Sequence, residues 1–180
     1  MARVGNMPRV PRTQAAVGSI AFFLAGPGLE AGIGPWLVVH FAGSDLDGWP
    51  VVLRVLGGVM IAAALAVLLD VFVRFVRDGA GTPSPAAPTR RLLVGGAFRH
   101  VRHPMYVATA AAIAGEALLF AQPILLVGAA AYVAAMGALS FYAEEPRLAR
   151  RFGAEYDAYR RAVPGWWPRL RPWRGPADGR

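Results

Sequence analysis

Nine consecutive residues, Phe98-Arg99-His100-Val101-Arg102-His103-Pro104-Met105-Tyr106, bring together two guanidinium groups, two imidazoles and a phenol. Pro104 can open a helix there, because a first turn loses nothing by lacking that N–H. A second ionisable group, Glu144-Glu145, again stands just before a proline, Pro146, where the last apolar run ends. Cations, imidazoles and a phenol on one side and two acids on the other can share one small charged ligand, provided that the chain holds both clusters at the same level. Metal chemistry is not indicated, since the three histidines are not grouped with acids at ligand spacing. The absence of cysteine excludes disulfides, thiolate sites and cysteine nucleophiles.

The elements that must position these groups are apolar spans. Hydrophobic residues make up 56% of the 180 residues, and mean hydropathy is +0.41 despite a formal charge of +8. That combination indicates an all-α integral membrane bundle with basic flanks. Runs at Ala15–Val39, Pro50–Arg74, Pro104–Ala121 and Ile124–Tyr142 give about four transmembrane helices, since about 20 apolar residues cross a bilayer core. Gly26-Pro27-Gly28 is expected to kink the first, with Glu30 toward its far end. Gln122-Pro123 makes spans three and four an antiparallel hairpin. From Glu144 to Val163 the pattern becomes one amphipathic helix, with Leu148, Phe152, Tyr156 and Tyr159 on its apolar face.

The resulting organisation is a basic, disordered arm at 1–13, two spans within 14–76, a linker and ligand-binding loop at 77–103, and the hairpin, amphipathic helix and Arg/Trp-rich tail at 104–180. The stretch from Arg77 to Pro88 is too rich in Pro and Gly for a regular element. All 19 basic residues are arginine: three precede the first span, six lie between spans two and three, nine follow span four, and Arg54 stands alone on the other side. The positive-inside rule then puts both termini and both polar clusters in the cytoplasm, as expected of a bacterial inner-membrane protein. Membrane lipids, rather than nucleic acid, are the implied counter-charge. Nothing in the sequence specifies an oligomeric state.

The order Gly95-Gly96-Ala97-Phe98-Arg99-His100-Val101-Arg102-His103-Pro104-Met105-Tyr106, then Glu144-Glu145, then Phe152-Gly153-Ala154-Glu155-Tyr156-Asp157-Ala158-Tyr159 and on to Pro164 resembles the isoprenylcysteine carboxyl methyltransferase family. Phospholipid N-methyltransferases share the same general plan. The resemblance covers roughly Pro88 to Pro168. It implies S-adenosylmethionine as cofactor, bound by Phe98, Arg102, His103, Pro104 and Glu144, with the adjoining Met105 and Tyr106 expected at the same site, and a carboxyl O-methyltransferase-like activity on a carboxyl or amine group. Two positions depart from the pattern. Phe98 stands where tyrosine is usual, and Ser140 replaces the arginine that orients prenylcysteine in the eukaryotic enzymes, which argues against that acceptor.

The cofactor's ammonium, carboxylate and flat adenine call for one acid, one or two cations and an aromatic wall, which these residues supply. A carboxylate acceptor needs no base; an amine needs one, and His100 and Glu145 are the catalytic candidates. An amphiphilic, lipid-like acceptor entering between spans would meet Ala108, Ala112 and Glu116, small or polar residues of span three. Each feature also has a plainer reading. Glu144 and Glu145 can cap a helix, the alanines can pack helices, and Glu116 can pair with Arg54. A non-catalytic membrane protein, or a sterol-reductase-like protein that binds a nicotinamide cofactor, is the alternative function.

Overall fold

The computed structural model describes residues 12–43, 46–77 and 92–175. The basic arm up to residue 11 and the linker from residue 78 to residue 91 lie outside the described residues, as does Asp45. Among the described residues every regular element is helical. They are α1 (Arg12–Phe23), a π-helical segment (Leu24–Ile33), α2 (Gly34–Ala42), α3 (Val51–Arg77), a 3-10 turn (Gly96–Arg99), α4 (Pro104–Leu119), α5 (Ile124–Leu139), a π-helical turn (Ser140–Glu144), α6 (Glu145–Phe152) and α7 (Ala154–Ala162).

Three helical stretches, Ile20–Ala42, Val51–Phe75 and Ile124–Phe152, are long and apolar enough to cross a membrane, and the protein is an integral membrane protein. They leave large apolar side chains such as Leu24, Val52, Val59, Leu69 and Val127 exposed, the arrangement of a lipid-facing surface. α4 is equally apolar but has 16 residues, about 24 Å at 1.5 Å per residue, against a bilayer core of about 30 Å. It is the central helix, buried on several faces by α3, α5 and the π-helical segment. Ala64 and Leu68 of α3 pack against Ala108 and Ala112 on one side, and Ile113 and Ala117 meet Leu125 and Ala129 on the other. Gly57 and Gly115 bring the α3 and α4 backbones together, for a Cβ on Gly115 would sit 2.8 Å from the Gly57 carbonyl oxygen. At that same end of the bundle, Trp49 Nε1 donates to the Leu118 carbonyl at 2.8 Å.

The structure corrects four expectations. The first span does bend at Pro27, but as a ten-residue π-helical segment, with Ala31 at φ −113° and ψ 18°. That segment carries Glu30 beside α4 and α5 rather than toward the far end of the span. Arg12 and Thr13, expected in the arm, already belong to α1. Glu144 and Glu145 do not end the last span: the helix runs on through Ser140–Glu144, where the wide π turn absorbs the missing Pro146 N–H, and neither acid caps a helix through its side chain. The amphipathic helix breaks in two at Gly153, whose φ of +53° only a residue without a Cβ adopts readily. The break swings α7 back so that Tyr156, Tyr159 and Val163 form a separate core with Leu92, Val94 and Trp173.

Candidate functional site

The loop before α4 is held from both sides. Asp70 of α3 accepts both from Arg74 Nε at 3.0 Å and from the Ala97 backbone N–H at 3.0 Å, as the i,i+4 spacing suggests for the pair. Gly95 and Gly96 lie against the Arg74 guanidinium so closely that a side chain on either would collide with it. From the other side the C-terminal segment runs along the loop. The Arg102 and His103 N–H groups donate to the Pro164 and Gly165 carbonyls at 2.9 and 3.2 Å, Arg169 N–H to the His100 carbonyl at 3.0 Å, and Trp173 N–H to the Arg99 carbonyl at 3.0 Å. Residues 99–103 are thereby fixed before α4 starts.

This frame brings the two predicted clusters together. Arg102 Nη1 lies 2.7 Å from Glu145 Oε1, and both side chains are about nine-tenths buried. His103 bridges the acids, Nε2 at 3.4 Å from Glu145 and Nδ1 at 3.7 Å from Glu144. The Tyr106 hydroxyl donates to Glu144. Arg160 Nη2 reaches the other oxygen of Glu145 at 3.3 Å, and Arg102 Nη1 also donates to the Tyr156 hydroxyl at 3.2 Å. Burial holds the His103 imidazole below the usual histidine range, against the opposing pull of Glu144 and Glu145, so at neutral pH it has one N–H for two acids. Burial likewise raises the Tyr156 and Tyr159 phenols, which stay protonated.

An aromatic wall stands beside these charges. The rings of His103 and Tyr106 are 5.8 Å apart and nearly parallel, and Trp166 faces both, at 5.7 and 6.1 Å. Arg102 Nε is buried and has no hydrogen-bond partner, so the guanidinium keeps one donor unspent at the site.

The other sequence candidates lie elsewhere. Phe98 turns toward α3, its ring edge-on to Phe75 at 6.3 Å, while its carbonyl accepts from the Tyr159 hydroxyl at 2.7 Å. His100 Nδ1 is 2.8 Å from the Arg169 carbonyl, which ties it to the C-terminal segment. Pro104 is buried at the start of α4, and Met105 packs toward the Ala64–Ala108 core. Ala108 and Ala112 are closed against α3. Glu116 lies ten residues beyond Tyr106, about 15 Å along the helix, and its buried Oε2 has no hydrogen-bond partner. Among the described residues no ion pair joins it to Arg54.

Sequence reasoning missed Arg160; it took Tyr156 and Tyr159 for packing, and they do form a core, while the Tyr156 hydroxyl also accepts from Arg102. A signal was available: Arg160 follows Tyr156 by four residues and so shares its helix face. Trp166 was legible only as part of the Arg/Trp-rich tail, and Gly165 before it lies close against Arg102. A Cβ there would lie 3.1 Å from Arg102 Nη2.

Comparison with known families matches residues 52–155, more than half of the chain, to the phospholipid methyltransferase family. The matched segment contains α3, the loop, α4, α5 and both acids; Glu30, Arg160 and Trp166 lie outside it. No curated protein and no solved structure matches the chain. The family is part of the isoprenylcysteine carboxyl methyltransferase-like superfamily of membrane methyltransferases, in keeping with the motif order read from the sequence. With a partly buried Arg102–His103–Glu144–Glu145 cluster at the mouth of an apolar helical bundle, and with that match across it, the chain belongs to the phospholipid methyltransferase family, membrane methyltransferases that act on lipid-like substrates.

Proposed function

We propose that the protein methylates the amine of an amphiphile from S-adenosylmethionine, at the cytoplasmic end of α4. The family's methyltransferases typically use this cofactor. The donor set fits it: Glu144 can receive the ammonium, the unspent Arg102 Nε can take a carboxylate oxygen, and the His103, Tyr106 and Trp166 rings offer flat surface. When bound, the cofactor supplies a methyl group already activated by its sulfonium. The chain's part is alignment and exclusion of water. Glu145, fixed by three cationic or potentially cationic groups, keeps Arg102 and His103 in place, and Trp166 screens the water side.

The observation that carries the choice of an amine is the commitment of charge. Arg102 and Arg160, the guanidinium groups that reach the cluster, are both held by Glu145. Ser140, where the prenylcysteine enzymes have arginine, is buried with its hydroxyl donating to its own helix at Gly137 O, 3.1 Å away. Among the described residues an acceptor carboxylate would find no cation on the bilayer side of the site, whereas an ammonium headgroup needs none.

Purified protein in uncharged detergent is expected to bind S-adenosylmethionine and to transfer its labelled methyl group to aminophospholipids in a lipid extract. Glu144→Gln is expected to weaken cofactor binding about 10- to 150-fold, the loss of one charge-assisted hydrogen bond, with unchanged circular dichroism. Wild-type affinity in the variant by titration calorimetry, or label found only on carboxyl groups, would refute the reading.

The arginine distribution supports a topology with four spans, both ends and the site in the cytoplasm, and the Ala42 end of α2 outside. Since the chain has no cysteine, single cysteines report directly. A membrane-impermeant maleimide added to intact cells is expected to label Ala42→Cys and to leave Arg90→Cys and Arg171→Cys untouched. Outside labelling at either arginine position would overturn the topology.

A further inference from the structure

The strand of polar groups at the site does not end at Tyr106. One helical turn further into the bundle, about 4.5 Å along α4, stands Thr109, fully buried, its hydroxyl turned to Tyr132. Beside it is Tyr132 of α5, and against Tyr132 lies the carboxyl group of Glu30. Glu30 and Tyr132 both lie within electrostatic reach of the Tyr106 hydroxyl, which bonds Glu144. Acid, phenol and hydroxyl thus converge from three separate elements on the bilayer side of the His103–Tyr106 wall.

The chain makes an effort to present Glu30 there. It sits in the π-helical segment, after Pro27 and next to the non-helical Ala31, and this segment packs on α4. π-helical turns inside helices concentrate at functional sites. An ionisable group at this depth is costly and ordinarily faces a partner or a ligand.

We propose that Glu30 is a catalytic residue that binds the acceptor's ammonium headgroup and takes its proton, with Tyr132 and Thr109 hydrogen-bonding the same headgroup. This deepens the amine reading and rests on it. An ammonium has no lone pair to attack with. One N–H bond breaks, the proton passes to a Glu30 carboxylate oxygen, and the freed nitrogen lone pair forms the N–C bond to the methyl group while the S–C electrons stay on sulfur. The products are the methylated ammonium, the demethylated cofactor and a neutral Glu30 carboxyl, which gives up its proton before the next turnover.

The test compares Glu30→Gln with the wild type by three measurements. Glu30→Gln keeps the side-chain shape and its contact with Tyr132, and unchanged cofactor affinity certifies its fold. First, turnover of an aminophospholipid should fall about 100-fold or more, the usual contribution of a general base. Second, an amphiphile of the same tail with an aniline headgroup, already neutral at neutral pH, should be methylated by variant and wild type at similar rates. Third, in the absence of cofactor, a long-chain alkylammonium in uncharged micelles should bind the variant about tenfold more weakly, while the corresponding alcohol binds both alike. Undiminished turnover of the ammonium headgroup, or an equal loss with both headgroups at unchanged alkylammonium binding, overturns the role of Glu30. A wild type that methylates carboxyl amphiphiles and no amine overturns the amine reading as well, which separates the two failures.

Discussion

Glu145→Ala is expected to destabilise the protein by about 3–5 kcal/mol and to abolish cofactor binding, because it strips the counter-charge from Arg102 and Arg160 and a hydrogen-bond partner from His103. Arg102 is the most affected, being about nine-tenths buried and 2.7 Å from the lost oxygen. Arg160 is half exposed and can turn to water, so its share of the penalty is small. His103 stays neutral without the acid, since burial already lowers it. The cost therefore falls on one buried guanidinium. Replacing both members, Arg102→Met with Glu145→Met, should recover most of the stability while leaving the protein inactive, for a buried ion pair is worth little against apolar groups of similar volume. A double-mutant cycle by denaturant unfolding in detergent measures this. If the double variant is as unstable as the sum of the singles, the pair is not what fixes the cluster.

The contrast between what the sequence disclosed and what it withheld follows from range. The spans were legible because a bilayer imposes length and hydrophobicity on each segment by itself. Arg102, His103, Tyr106, Glu144 and Glu145 were legible because their order is local within two short motifs. The contacts made by the terminal helix were not: Arg160 reaches Glu145 and Tyr156 reaches Arg102 only because Gly153 breaks that helix, and the steps Leu148, Phe152, Tyr156 and Tyr159 read equally well through an unbroken helix. Ala108 and Ala112 suit close packing on either neighbour. The choice of α3 was made by Gly57 and Gly115, whose contact spans the two helices. Glu30 was misplaced in depth because a residue count along a straight span cannot include the π-helical segment.

The Gly57–Gly115 contact gives the other large expectation. A Cβ on Gly57 would meet the Gly115 carbonyl oxygen, Leu119 N at 2.7 Å and Leu118 Cβ at 3.1 Å. Two of those three atoms are backbone, which cannot move aside as a flexible side chain does. Gly57→Val must therefore push α3 from α4, with a loss of about 1–3 kcal/mol or more, typical of overpacking. The effect should extend beyond stability. α3 also carries Asp70 and Arg74, which hold the Ala97 N–H and the Gly95-Gly96 turn from beneath. Tilting it displaces the loop from which Arg102 and His103 project, so cofactor affinity should drop at least tenfold although residue 57 lies 13 residues before Asp70, about 20 Å along the helix. Gly58→Ala is the control on the adjacent residue. Nothing lies within 4 Å of its Cβ position, so the better helix propensity of alanine should leave stability equal or raised by up to about 1 kcal/mol. Thermal unfolding and cofactor titration of the two variants side by side decide the matter: a Gly57→Val protein as stable and as avid as Gly58→Ala would mean that close approach of α3 and α4 does not position the site.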